Sequence, residues 1–339
     1  MKQPSLKIGR YLGSSIMKIK SAGPMGCRMI DTASQFSIKF NQINRNATRE
    51  DRIEILNNVI IEWSYLSGPI ADNNSFYDYF TPNWDYFYDL KEISPVEWIN
   101  RKSLDRIYDF YVKDYKPNQY EWTKHLFNPS KKINKYLEEL YEVNSDFENS
   151  VVCYHRGWHN HGQPVFGGIH PSVYAGFVNK MSKDGLVLLC TDNGYWENIF
   201  LGYFVGDKRF RSLSRQLVDG SSQQFPSDEV AVMGVSADCY NTVLTDGHLK
   251  WLAKIIYMSK FKNLITNAHT QTTVQLLFLR ENVDNLVVID SELKHKWFHT
   301  IDDVDTSDVI DTTDWGISER GGYAKLFPIH IQKAFSDNV

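Results

Sequence analysis

Residues 150–163 read SVVCYHRGWHNHGQ, an apolar run that breaks into histidines, one arginine and two glycines. A short unbroken apolar run closed by turn residues is the mark of a strand buried on both faces. The pattern repeats along the rest of the chain. GLVLLCTD (185–192), NLIT (263–266) and NLVVID (285–290) read as further buried strands. Between them HPSVYAGFVNKM (170–181), DGHLKWLAKIIYMSKF (246–261) and TQTTVQLLFL (270–279) read as helices, and GYWENIFLGYF after residue 193 as another. In the 246–261 segment Leu249, Leu252, Ile256 and Met258 form the expected inward stripe. Strand alternating with helix predicts an α/β fold with a parallel sheet covered on both faces. Ligands of such sheets sit beyond the carboxyl ends of the strands. Three strand ends are polar there: His155-Arg156-Gly157, Thr191-Asp192-Asn193, and Asn267 through Gln271.

The N-terminal half opens in the same way. IMKIK (16–20) alternates like a strand and runs into a turn holding Gly23, Pro24 and Gly26. MIDTASQFSIKF (29–40) has helical spacing, VIIEW (59–63) is a short strand, and NPSKKINKYLEELYEV (128–143) is a proline-started helix. Residues 73–127 are rich in aromatics and Asp with weak periodicity, which predicts short helices and long loops. The natural division falls near residue 148, giving two nucleotide-fold domains, 1–148 and 149–339, facing across a cleft.

Composition narrows the function classes. The 339 residues are 42% hydrophobic and 23% charged, enough to bury a large core. The 19 Tyr, 19 Phe and 9 Trp suit cores and also line sugar and base pockets. With net charge −4 no basic field points to nucleic acid, so an anionic ligand needs a local positive site. Cys27, Cys153, Cys190 and Cys239 are far apart, which gives neither a zinc ribbon nor a disulfide framework and predicts reduced thiols. No run approaches a membrane span and no signal peptide is visible, so the expectation is a cytoplasmic protein.

The polar stretches leave two chemistries open. His155, His159, His161 and His170 offer a zinc site, although no acidic residue lies between 149 and 183 to complete a hydrolase-type set. Arg156, at a strand end, can fork onto a diphosphate and never loses its charge. The turn at Gly26 and the hydroxyls and amides around Thr270 bring backbone N–H groups toward an anion, or serve as ordinary helix caps. The six aspartates of 302–314 lack the glycine of a calcium loop and read as a solvated acidic segment.

Taken in order, these stretches resemble the α1,6-fucosyltransferase group, which includes the nodulation-factor and core N-glycan fucosyltransferases. The resemblance rests on Gly23-Pro24-Met25-Gly26-Cys27-Arg28-Met29 before DTASQFSIKF, on Trp63 ahead of Asn74-Ser75-Phe76, and on Cys153-Tyr154-His155-Arg156-Gly157. It continues through Leu189-Cys190-Thr191-Asp192, Met258-Ser259-Lys260-Phe261 and His269 to Thr272, spanning roughly residues 16–290. The chain departs from the family pattern at Cys153, at His155, and at Lys254, where the family places an aspartate.

The resemblance implies a GT-B-like architecture of two Rossmann-type domains, the first on the acceptor side and the second binding the donor with a C-terminal extension. The donor it implies is GDP-fucose or another nucleotide sugar, and the acceptor a glycan; no metal and no further cofactor is implied. Arg156 would hold the diphosphate, helped by the backbone at Gly26 and Cys27 and by Thr270 and Thr272. Asp192 and Asn193 would recognise the base or ribose, with Gln271 nearby, and Thr191 and His269 would belong to the same donor-binding set. His155 joins Arg156 in the catalytic set, with His159, His161 or Asp72 as general base, and the aromatic 76–122 segment would stack on acceptor sugars. The alternatives are a transferase using a different nucleotide sugar, a metallohydrolase on the histidines, and a glycan-binding relative without catalysis.

Overall fold

The computed structural model describes residues 16–22, 25–44, 47–64, 76–96, 120–155, 159–160, 163–164, 171–191, 200–213, 246–267, 271–280, 285–290 and 325–327. In chain order the first half forms β1 (Lys18–Ala22), α1 (Met25–Asn44), α2 (Arg49–Asn57), β2 (Ile60–Ser64), α3 (Phe76–Tyr79), α4 (Trp84–Tyr88), α5 (Glu121–Leu126) and α6 (Lys131–Val143). The second half forms β3 (Val151–His155), β4 (His159–Asn160), β5 (Gln163–Pro164), α7 (Pro171–Met181), β6 (Val187–Thr191) and β7 (Phe210–Ser212). It continues with α8 (Asp246–Ser259), β8 (Asn263–Asn267), α9 (Gln271–Leu279), β9 (Leu286–Asp290) and β10 (Lys325–Phe327).

The main sheet has the order β10-β9-β8-β3-β6-β7, parallel throughout except for the antiparallel edge strand β10. The chain steps outward from β3 to β6 and β7, then crosses back past β3 to β8 and β9. The strand order therefore reverses between β3 and β8. Both strands are buried on both faces, as unbroken apolar runs require. Alternation sorts their side chains into two cores. Val151, Cys153, Val187, Leu189 and Ile265 pack with Tyr174, Phe177 and Phe200 on one face. Val152, Tyr154, Leu188, Cys190 and Leu264 belong to the larger cluster on the other, with α8 and α9.

That larger cluster continues into the first half, with Ile19, Met29, Phe36, Trp63, Phe76 and Leu137 in the same apolar body. Helix α6 packs on α8, and α1 and α5 pack on α9. Helices α8 and α9 thus lie between the main sheet and the first half. This corrects the one-sided stripe expected for 246–261: Ala253, Lys254, Ile255 and Tyr257 are as buried as Leu252. A helix covered on both sides has no solvent face to keep polar.

The first sheet is the parallel pair β1–β2. Ile60 N–H donates to Met17 O, so odd-numbered residues of β1 turn their backbone groups to β2 and even-numbered ones turn theirs away. On that far edge the Gln35 amide both accepts from Lys20 N–H (3.4 Å) and donates to Lys20 O (2.6 Å). Lys39 Nζ donates to Lys18 O. Side chains of α1 stand where another strand would pair, so among the described residues the first sheet ends at β1.

The sequence boundaries move for identifiable reasons. Helix α1 begins at Met25, so Gly26 lies in its first turn rather than in the preceding loop. Helix α2 was not anticipated; its start is a capping box in which Asp51 N–H donates to Thr48 Oγ1 (3.2 Å) and Thr48 N–H to Asp51 Oδ2 (2.8 Å). Strand β9 begins after Asn285, whose φ of 49° is left-handed.

The aromatic segment also differs from expectation. Phe76, Tyr79, Phe80 and Phe87 are fully buried, and Tyr120 and Trp122 nearly so. Phe36 meets Phe87 edge-on at 5.2 Å and Trp63 meets Phe76 edge-on at 5.3 Å. These rings build the core of the first half and present no face to a sugar. Half-buried Trp84 and Tyr86 remain nearer the surface, Tyr86 stacked on His125 at 3.7 Å.

Candidate functional site

Three strands carry their polar ends to the same side of the main sheet. His155 is the last residue of β3 and pairs with Thr191, the last residue of β6. On the other side the register of β3 and β8 places Cys153 opposite Ile265, so both strands run two residues further, to His155 and Asn267. Helix α9 starts at Gln271, just beyond β8. The reversal of strand order falls between these two ends, where a crevice opens in doubly wound sheets.

A second helix touches α9 near its start. Met29 is the fifth residue of α1 and Gln275 the fifth of α9. Gln275 Nε2 donates to Met29 Sδ at 3.3 Å. Helices α1 and α9 therefore touch one turn from their beginnings. Both ends carry the positive pole of a helix dipole, a setting that favours an anion.

The side chains at this end are more enclosed than their residue types suggest. His155 and Thr191 are fully buried and Thr272 is 3% exposed. Thr273, one residue on, lies within hydrogen-bond distance of Thr266 across the α9–β8 contact, 2.8 Å between hydroxyls. His155 packs against Phe200 (5.3 Å) and Tyr174 (6.1 Å), which meet each other edge-on at 4.8 Å. Burial pushes its imidazole pKa down to about 3, so the ring is neutral at physiological pH. A neutral, enclosed imidazole does not attract a phosphate by charge; it holds the end of β3 in place. The same burial pushes the Cys153 thiol and the Tyr174 phenol up, so neither ionises.

Other expected site residues are placed by their backbone alone. Gly26 and Cys27 occupy the first turn of α1, and Gln271 opens α9. His159 lies on β4, which forms a short antiparallel pair with β5, His159 opposite Pro164. Arg156, Asp72, His161, Asp192, Asn193, His269 and Thr270 lie outside the described residues, as do Gly23 and Pro24 of the first turn. No group of three or more His, Cys, Asp or Glu placed to hold a metal ion occurs among the described residues. None of their helices is long and apolar enough to cross a membrane.

Two residues at this end are not among the expected site residues. Arg28, in the first turn of α1, is 1% exposed and lies over the Trp63 ring at 5.4 Å. Gln275 is fully buried between the apolar Val274 and Leu276. The signal for Gln275 was present: one amide inside the run VQLLFL.

No protein-family model matches this chain. No curated protein matches it either.

Proposed function

We propose that the protein is a glycosyltransferase that takes its sugar from a nucleotide diphosphate, with GDP-fucose as donor and a glycan hydroxyl as acceptor. The observation that carries the reading is the start of α9 just beyond β8, where strand order reverses and where α1 touches α9 one turn from its own start. The first four N–H groups of each helix are donors without helical partners, and a diphosphate is the sugar-nucleotide part that needs many donors. Arg156, the residue following β3, adds the full positive charge there.

In this reading residues 149–339 form the donor side and 1–148 the acceptor side of a GT-B-like pair of α/β domains. The acceptor oxygen attacks the anomeric carbon as the bond from that carbon to the β-phosphate oxygen breaks. Configuration inverts, GDP leaves with the bonding electrons, and the acceptor proton passes to a base, with His159, His161 and Asp72 as the candidates. Arg156 and the N–H groups at Gly26, Cys27, Gln271 and Thr272 stabilise the charge that builds on the leaving diphosphate, so no metal ion is needed for it. Thr270 adds its hydroxyl. We assign Asp192 and Asn193 to recognition of the base or ribose, with Gln271, Thr191 and His269 in the same donor-binding set.

Thermal unfolding with GDP, UDP and CMP, with and without chelator, tests this. GDP at a hundred times its dissociation constant adds about 2.7 kcal/mol to the folded state. The reading requires that gain to be specific to GDP and to survive chelation. Stabilisation by no nucleotide, or stabilisation that chelator abolishes, overturns it.

A further inference from the structure

The turn after residue 203 holds apolar side chains out to solvent. Residues 200–203 are helical, and Asp207 N–H donates to Phe204 O at 2.8 Å, which closes a tight turn with Val205 and Gly206 at its tip. Such tips ordinarily carry Gly, Pro, Asn, Asp or Ser. Here Val205 is 87% exposed, more than any other large apolar side chain described, and Tyr203 is 48% exposed. A Cβ added at Gly202 or Gly206 would meet nothing within 4 Å, so open space surrounds the tip. The turn is nonetheless anchored. Phe204 stacks on Phe210 at 3.8 Å, and the Arg209 guanidinium grips the Asp207 carboxylate at 2.7 Å. The same guanidinium donates to Ser182 O (3.0 Å), Lys183 O (2.8 Å) and Asn179 Oδ1 (3.2 Å), joining the turn to the end of α7.

That junction is basic. Residues 179–184 and 205–211 bring together five cations (Lys180, Lys183, Lys208, Arg209 and Arg211) against the carboxylates of Asp184 and Asp207, in a chain of net charge −4. Asp207 is taken by Arg209, whereas Lys183 and Lys208 are exposed and form no ion pair among the described residues. We propose that the 203–208 turn, with Lys183 and Lys208 beside it, docks the protein on an anionic lipid bilayer. Val205 and the Tyr203 ring enter the boundary between head groups and acyl chains, while the lysines meet lipid phosphates. The shape selects this partner over an acidic protein. A convex tip spanning 203–208 is far below the roughly 20–30 residues per side of a standard protein interface, and it suits a soft surface that it can enter. This inference stands independently of the nucleotide-sugar reading.

Co-sedimentation of the full chain with vesicles tests this, using phosphatidylcholine alone and equal parts of phosphatidylcholine and phosphatidylglycerol. The expected result is binding to the mixed vesicles only, weakening as salt is raised. Lys208→Gln should weaken it about fivefold, the loss of one cation at an anionic surface, and Val205→Ser should weaken it several-fold. Ile38→Ser, at an exposed apolar residue of α1 outside the turn, is the control and should bind as wild type does. All three side chains are exposed, so the variants should melt with the wild type, and Lys208→Gln alone decides if Val205→Ser melts lower. Absence of binding to the mixed vesicles, or wild-type binding by the Val205→Ser, Lys208→Gln double variant, overturns the proposal. Equal binding to both kinds of vesicle overturns it as well, since the lysines then contribute nothing. So does an Ile38→Ser variant as impaired as Val205→Ser, because contact is then not made through this turn.

Discussion

His155 stands opposite Thr191 at the last rung shared by β3 and β6, and both side chains are fully buried. The imidazole is held neutral inside an aromatic wall of Tyr174 and Phe200. Its pKa falls from 6.5 to about 3 on folding because burial disfavours the cation. In the unfolded chain the ring protonates near 6.5, while in the folded protein it resists down to about 3. Stability from this group is therefore complete above the upper value and is lost as pH falls through the window. The expected slope is about 1.4 kcal/mol per pH unit, the value for one proton taken up on unfolding. Urea denaturation between these pH values measures it, and His155→Gln should remove that part of the slope. An unchanged acid limb in the variant shows that other groups govern it.

Gly185 fixes how β3 and β6 enter the sheet. It donates to Ser182 Oγ at 3.0 Å, and a Cβ added there would overlap the Asn149 carbonyl, backbone that cannot swing aside. Asn149 and Gly185 each precede a strand whose far end belongs to the site. Gly185→Ala should cost about 1–3 kcal/mol through forced backbone shifts. Equilibrium unfolding gives the value, and a variant as stable as wild type would contradict this packing.

Among the described residues, aromatic rings crowd the core of the first half. Phe36 lies 5.6 Å from Phe40, 6.0 Å from Trp84, 5.2 Å from Phe87 and 5.8 Å from Trp122. Phe36→Ala should destabilise by about 3–5 kcal/mol, whereas Phe36→Leu should cost much less. Chemical denaturation of both variants checks the ranking. Equal losses would show that the cavity is not the cause.

The second half was legible because its strands are buried on both faces. VVCYH and VLLCT have no competing pattern, and the helices between them carry start signals such as Pro171. The polar strand ends were legible for the same reason, since hydrophilic residues after such runs must leave the sheet. The first half was harder. Phe76 and Phe87 are core residues in short helices, and Phe80 follows one, where periodicity has too few turns to register, so they read as a surface for sugars. Long-range features were out of reach. Nothing local in QTTVQLLFL says that α9 is covered by the main sheet on one side and α1 on the other. The meeting of Met29 with Gln275, 246 residues apart, appears only when both halves are folded. His155 shows the opposite limit: its position at a strand end was readable, its complete burial was not.

The account turns on a diphosphate held where strand order reverses, and titration of GDP into wild type and Arg156→Ala in the presence of chelator tests that most directly. It predicts saturable GDP binding to the wild type, and loss of that binding in the variant at an unchanged melting temperature. Wild-type affinity in Arg156→Ala, or no GDP binding by the intact protein, would contradict it.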